Sequence, residues 1–508
     1  MRLVRIISPL TILLLILAAF AGSPGCANII PPEGGPRDSL APRAVAVRPA
    51  DSTRNFAERR ITFNFDEYVE VQNAQQNLVV SPLPKNMPIV EAKLKTVTVR
   101  IRDTLEPNTT YALNFTKVIK DVNEGNEVKD FIYVFSTGPT IDSLELSGLV
   151  VLAENEKADS TLTVMLHTSN VDSAVIKERP RYIARLDAEG HFHFRFLAPG
   201  TYYLYAMKDE GGAYRYMKRS QLFAFADSAV KLDGTPHVPV KLYAYSIPEP
   251  PKPASSQTNT RRDNNDRRLR YQNNIGPSHD LLNDVVFTFE TPLKRFDSSK
   301  VRFTTDTLFT PVTSGYRWEM DSTSTKLTFK YPWQENTSYA FLFDKDFAID
   351  TLGKELLKAD TIKFVTKRKI DYGELRLRFR NLDMSSNPLL LFIQNNETKK
   401  AVPLTSENFY DPLFIPGEYD LRIVNDRNKN GKWDPGDFFN GRRQPEKVIP
   451  LSRTINVKAN WENEVEIDVR QASQPGQGQT PGGRRPAGST PGGQPRPQRT
   501  ITDAPLQR

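Results

Sequence analysis

The apolar residues of this chain come in short runs that alternate with polar ones. Arg60-Ile-Thr-Phe-Asn-Phe-Asp66, Leu94-Lys-Thr-Val-Thr-Val-Arg-Ile101 and Tyr111-Ala-Leu-Asn-Phe115 each put every second side chain on one face. A period of two is that of a half-buried strand. Short strands separated by turn signals argue for β-sandwiches, and 508 residues are enough for several. The 38 prolines and 27 glycines supply turns and linkers. Cys26 is the only cysteine, so intrachain disulfides and cysteine-based zinc sites are excluded. Each core must therefore hold by apolar packing alone.

The first residues have a separate logic. Arg2 and Arg5 precede an apolar run, Ile6 to Ala21, broken only by Ser8, Pro9 and Thr11, and Ser23-Pro24-Gly25-Cys26 closes it with small residues. A charged start, a short apolar centre and a small-residue exit read as an export signal, not a membrane span. The lone thiol at that exit resembles the lipobox of bacterial lipoproteins, in which the cysteine is diacylated and becomes the new N-terminus. The resemblance implies a signal peptide over 1–25, fatty acids (palmitate) on Cys26, and an outer-membrane lipoprotein on the periplasmic or cell-surface face. Residues 26–42 are rich in proline and glycine, and read as a tether reaching on the order of 50 Å when extended.

Residues 43–138 form the first expected domain. The segment from Pro42 to Pro49, Phe65-Asp-Glu67, Asn108-Thr-Thr-Tyr111, Asp121-Val-Asn-Glu-Gly-Asn126 and Phe135-Ser-Thr-Gly138 resemble a bacterial S-layer-type Ig-like domain. The whole N-terminal region is similar to a group of Bacteroidetes lipoproteins that begin with a lipobox, a Pro-Pro-Gly-Gly tether and this domain. Residues 139–247 carry His191-Phe-His-Phe-Arg-Phe-Leu197, then Pro199-Gly200 and Tyr202-Tyr-Leu-Tyr205. That segment resembles the carboxypeptidase-regulatory-like (prealbumin-like) sandwich, which implies a spacer or docking module without an active site of its own. Residues 248–279 read as a Pro- and Arg-rich linker.

The chain then repeats itself roughly 220–230 residues further on. Phe287-Thr-Phe-Glu290 echoes Phe63-Asn-Phe-Asp66, Asn336-Thr-Ser-Tyr339 echoes Asn108-Thr-Thr-Tyr111, and Phe364-Val-Thr366 echoes Phe135-Ser-Thr137. Residues 280–367 are thus expected to be a second Ig-like domain. Pro416-Gly417-Glu-Tyr419 matches Pro199-Gly200-Thr-Tyr202, with Asp426 falling on Asp209, which makes 368–470 a second regulatory-like sandwich. The expected fold class is all-β: tandem antiparallel β-sandwiches, Ig-like and prealbumin-like, from a duplicated two-domain unit. Residues 471–508 are Gln, Pro, Gly and Arg with almost no apolar residue, a composition that cannot bury a core.

The most specific local motif is Asp426-Arg-Asn428-Lys-Asn430-Gly431-Lys432-Trp-Asp434-Pro-Gly-Asp437. Oxygen side chains at Asp426, Asn428, Asn430, Asp434 and Asp437, with the Lys432 carbonyl and a turn-forming Gly431, follow EF-hand spacing between strands instead of helices. Structural calcium is one reading; a hairpin turn shaped by Asn and Gly, with solvated carboxylates, is the other. Tyr203 and Tyr214 belong to a tyrosine-rich hairpin that would stack on sugar rings or simply pack. His191 and His193 share a strand face and read as exposed, with Phe192 and Phe194 turned to the core. No Gly-rich phosphate loop, His-Glu-x-x-His or Gly-x-Ser-x-Gly occurs, and catalysis is not expected. The net charge of +8 lies largely in arginine clusters outside the domains, and an exported location argues against nucleic acid. These features point to a non-catalytic envelope protein that binds or scaffolds. The alternatives are an accessory subunit of an outer-membrane assembly, export or uptake complex, partnered by a β-barrel protein, and a surface carbohydrate-binding protein recognising a glycan.

Overall fold

The computed structural model describes residues 38–247, 268–305 and 308–471. The segments expected to be a signal peptide and a tail, Cys26, and most of the expected tether and linker lie outside the described residues. The regular structure of the described chain is almost all strand, as the alternation requires, and the chain divides into two compact units.

The first unit centres on residues 38–145. Ala44–Arg48, Arg60–Phe65, Thr96–Arg100 and Ile89–Lys93 lie side by side in that order, all antiparallel. Val79–Ser81, Thr110–Asn114 and Ile132–Ser136 form the other sheet. The apolar halves of both alternations meet between them: Ile61, Phe63, Val97 and Val99 from one side, Leu113, Phe115, Tyr133 and Phe135 from the other. Phe63 stands edge-on to Phe115 and Tyr133 at 5.3 and 5.4 Å, a geometry favoured by aromatic quadrupoles.

The second unit holds most of the remaining chain. Within it, Tyr271–Asn273, Val285–Phe289, Lys326–Lys330 and Arg317–Met320 repeat the order of the first four-stranded sheet, and Val301–Thr305, Ser338–Phe343 and Asp360–Thr366 repeat the opposing one. Leu269 and Tyr271, within the segment that composition assigns to the linker, pack with this core. Two apolar residues in a polar run are too few to give a local signal; the pairing of Tyr271 with Phe289 makes Tyr271–Asn273 a strand, with Leu269 packed just before it.

The hydrogen bonds repeat as well as the strands. The Thr109 N–H donates to Thr137 Oγ1 at 3.0 Å, and Thr137 Oγ1 donates to the Glu106 carbonyl. The Thr337 N–H donates to Thr366 Oγ1 at 3.0 Å, and Thr366 Oγ1 donates to the Gln334 carbonyl. Buried Asp121 accepts the N–H groups of Glu124, Gly125 and Asn126; buried Asp350 accepts those of Leu352 and Lys354. Burial works against the Asp121 charge, yet these donors hold its carboxyl below the usual carboxylate range.

The two remaining sandwiches share a second topology. Leu162–His167 and Gly200–Lys208 run antiparallel, with Phe223–Phe225 and Val230–Leu232 both added to the latter strand; Pro388–Gln394, Gly417–Asn425, Val448–Pro450 and Ile455–Val457 repeat this. In each, the first and last strands pair in parallel: Leu144–Leu152 with Val240–Ala244, and Gly373–Arg380 with Glu462–Asp468. The sheets are therefore not antiparallel throughout. Tyr372 joins the third sandwich to the fourth: its hydroxyl accepts the Leu281 N–H at 2.7 Å and donates to Asp280 Oδ1 at 2.8 Å.

Candidate functional site

Every residue of Leu162–His167 is buried, so both faces of this strand are covered. Register places Thr163 opposite Met207, Met165 opposite Tyr205 and His167 opposite Tyr203; Tyr205 and Met207 in turn face Phe225 and Phe223. Directly opposed residues share a face. One side of this sheet thus carries Met165, His167, Tyr203, Tyr205, Met207, Phe223 and Phe225, an apolar and aromatic surface that water would not leave bare.

Tyr216 and Tyr245 cover part of it, and the loop after Gly417–Asn425 adds to the cover. Phe438, 3% exposed, meets Phe225 at 5.0 Å, Phe223 at 5.4 Å and Tyr205 at 5.6 Å between ring centroids. Phe439 meets Tyr216 at 5.4 Å. Around these rings lies a polar rim. Arg442 Nε donates to Asp172 Oδ1 at 2.9 Å, and Gln444 Nε2 donates to the Phe225 carbonyl at 3.0 Å and to Asp227 Oδ1 at 2.8 Å. Gly436 lies flat on Tyr245, where a Cβ would fall 2.5 Å from ring Cε1, so only glycine fits. The arrangement is an intramolecular clasp between the second and fourth sandwiches.

The Asp/Asn motif builds that clasp. Asp426 is 3% exposed and accepts the N–H groups of Asn430 at 3.1 Å and Gly431 at 2.8 Å. The amides of Asn428 and Asn430 both donate to Asp434 Oδ2, and the Lys432 N–H donates to Asn430 Oδ1. Lys429 and Gly431 have φ of 58° and 71°, the left-handed turn that Gly431 is suited to. Asp437 is not brought to this group. It exchanges backbone bonds with Arg443, accepts the Asn440 amide at 2.8 Å and faces Arg219 at 3.5 Å. In this arrangement the loop's oxygens take donors from the loop itself. No group of three or more His, Cys, Asp or Glu side chains among the described residues is placed to hold a metal ion.

Glu446 is the residue that sequence reasoning missed. It is 2% exposed, and its two carboxylate oxygens accept the N–H groups of Arg427 at 2.8 Å and Asp434 at 3.1 Å, stapling both ends of the loop. Nothing in a lone Glu between Pro445 and Lys447 signals this. Phe438-Phe439 did carry a signal: two adjacent aromatics in a polar loop cannot both enter one core.

Tyr203 shares the sheet face of Tyr205, and Tyr214 lies outside that sheet. Tyr203 is half-buried opposite His167. Tyr214 is half-buried in a turn where its N–H donates to Asp209 Oδ1 at 2.8 Å and Arg179 lies 5.9 Å from its ring, and burial pushes its hydroxyl pKa up. Asp209 also accepts the Gly212 N–H, the turn role that Asp426 has in the repeat. His191 and His193 are exposed, His191 at 3.3 Å from Asp187. His167 is 2% exposed, its Nε2 has no hydrogen-bond partner, and burial lowers its pKa to about 4.

Comparison with known proteins bears on the first sandwich. Residues 38–137 match the bacterial Ig-like domain. No curated protein matches the chain. Among solved structures it is similar to BcpA, the major pilin subunit of Bacillus cereus, at 10% identity, covering 64% of this chain and 99% of that one with a TM-score of 0.16. It is also similar to the S-layer protein rSbsC(31-844) at 14% identity, covering 84% of this chain and 42% of that one with a TM-score of 0.15. The Bacillus anthracis TIE protein matches at 11% identity over 86% of this chain and 76% of its own, again with a TM-score of 0.15. Scores this low carry no argument about arrangement or activity.

Proposed function

We propose that this chain is a non-catalytic lipoprotein of the cell envelope, anchored in the outer membrane by fatty acids on Cys26 and acting as a scaffold. The observation that carries the reading is the clasp. The most polar loop of the fourth sandwich, which in an enzyme would be the place to seek converging reactive groups, instead fixes that sandwich on the second one. Side chains used this way set the geometry between domains. The Ig-like match contributes a fold and, by itself, no activity. The resemblance of the N-terminal region to Bacteroidetes lipoproteins belongs to the same proposal.

Metabolic labelling with palmitate tests the anchor. Wild-type protein takes up label and sediments with membranes; Cys26→Ser takes up none and moves to the soluble fraction. Unlabelled wild type, with a serine variant that sediments as before, refutes it. Native purification tests the scaffold: stoichiometric recovery with an outer-membrane β-barrel protein would replace a free-standing scaffold with an accessory subunit.

A further inference from the structure

The clasp leaves a cleft of about 260 Å³ beside its aromatic centre. Tyr216, Tyr245, Phe438 and Phe439 line it, together with Arg219, Asp437 and Asn440. Phe439 remains 41% exposed although its neighbour Phe438 is buried; its ring lies tilted by 38° against buried Tyr216, which backs it, so Phe439 is the apolar surface the cleft offers. Beside it, the Asp437 side chain is 14% exposed and Arg219 is 63% exposed, their charged atoms 3.5 Å apart. That is long for a charge-assisted hydrogen bond. The Asn440 amide donates to the same Asp437 oxygen at 2.8 Å.

These groups select a ligand class. A carboxylate offers about four acceptor sites, and the guanidinium and amide have donors to spare. A hydrocarbon would use none of their spare donors and acceptors, an anion would be repelled by Asp437, and a cation by Arg219. A sugar hydroxyl both donates and accepts, so vicinal hydroxyls can pair with acid, amide and guanidinium together. The C–H face of the same ring is apolar and suits an aromatic platform. The volume falls just below the roughly 300–1,000 Å³ of ordinary small-molecule sites, which leaves room for one ring and not for a chain. We propose that this cleft binds a single pyranose ring of a neutral glycan, its apolar face on Phe439 and its hydroxyls on Asp437, Asn440 and Arg219. Tyr203 and Tyr214 are not among the residues lining the cleft; Tyr216, from the same stretch, is. The site goes beyond the scaffold reading, and neither depends on the other.

Saturation-transfer NMR on the full-length, detergent-solubilised protein tests it, with the methyl β-pyranosides of glucose, galactose and N-acetylglucosamine as probes. At least one is expected to bind with a Kd on the order of 1–10 mM, and Phe439→Ala and Asn440→Ala each weaken it by about tenfold or more. Asn440 is exposed, so the melting midpoint should hold in Asn440→Ala, and Phe439→Tyr, which keeps the ring, should retain both the midpoint and binding. No transfer from any probe overturns the proposal. So does transfer indifferent to both substitutions, or a cleft that takes N-acetyl-tyrosinamide in place of the sugars.

Discussion

Replacing Phe438 by alanine removes the ring at the centre of the clasp, and the structure sets the expected cost. The side chain is 3% exposed and packs within 6 Å of three rings of the second sandwich. Buried Phe→Ala substitutions cost about 3–5 kcal/mol. A loop can settle partly into the space, which places this one near the lower end, about 3 kcal/mol. The competing contribution is the Arg442–Asp172 pair, whose side chains are 36% and 42% exposed. An ion pair so open to solvent is worth about 0.2–1 kcal/mol. The rings should therefore decide whether the clasp holds, and Arg442→Ala should matter less. Amide hydrogen exchange reads local opening directly. The amides of Asp437 and Arg443, which bond each other's carbonyls, should exchange about a hundredfold faster in Phe438→Ala and no more than about fivefold faster in Arg442→Ala. Amides of Thr110–Asn114, in the first unit's core, serve as the control and should be unchanged. A change of less than threefold in Phe438→Ala, or a larger effect from Arg442→Ala, would refute the reasoning.

Four further outcomes are expected. Glu446→Ala leaves the Arg427 and Asp434 N–H groups unpaired and should cost about 2–4 kcal/mol by local exchange of the loop, with Glu446→Gln intermediate; equal protection in all three proteins would contradict this. Tyr372→Phe should cost about 1–3 kcal/mol in denaturant unfolding of the third and fourth sandwiches, because the Leu281 N–H loses its acceptor and Asp280 a donor. His167 is neutral when folded, with a pKa near 4 against an ordinary 6.5, so unfolding takes up a proton and stability falls as pH drops from about 6.5 to 4; the loss totals about 3 kcal/mol, and His167→Phe should flatten that slope. Saturating calcium should move the melting midpoint by less than about 1 °C while the amides of Asn428 and Asn430 remain turned to Asp434; a larger rise, abolished by Asp426→Ala, would show that the loop rearranges around the ion.

The sequence by itself determined the strands, because alternation along Arg60–Phe65 or Thr96–Arg100 is a local property that survives without knowledge of any partner. It also determined the internal repeat, since Asn108-Thr-Thr-Tyr111 and Asn336-Thr-Ser-Tyr339 form the same turn with the same threonine bonds. It singled out Asp426, Asn428, Asn430 and Asp434, whose spacing closes a loop on itself. Tertiary structure alone decided what that loop is for. Phe438 becomes meaningful only when it lands on Tyr205, Phe223 and Phe225, and the second aromatic face of that sheet only when something covers it. Glu446 reads as an ordinary surface acid until chain reversal puts two backbone donors beside it. Hydrophobic period and turn chemistry act between near neighbours in sequence. Which buried face meets which loop is settled by contacts between residues far apart in the chain, and no local pattern encodes them.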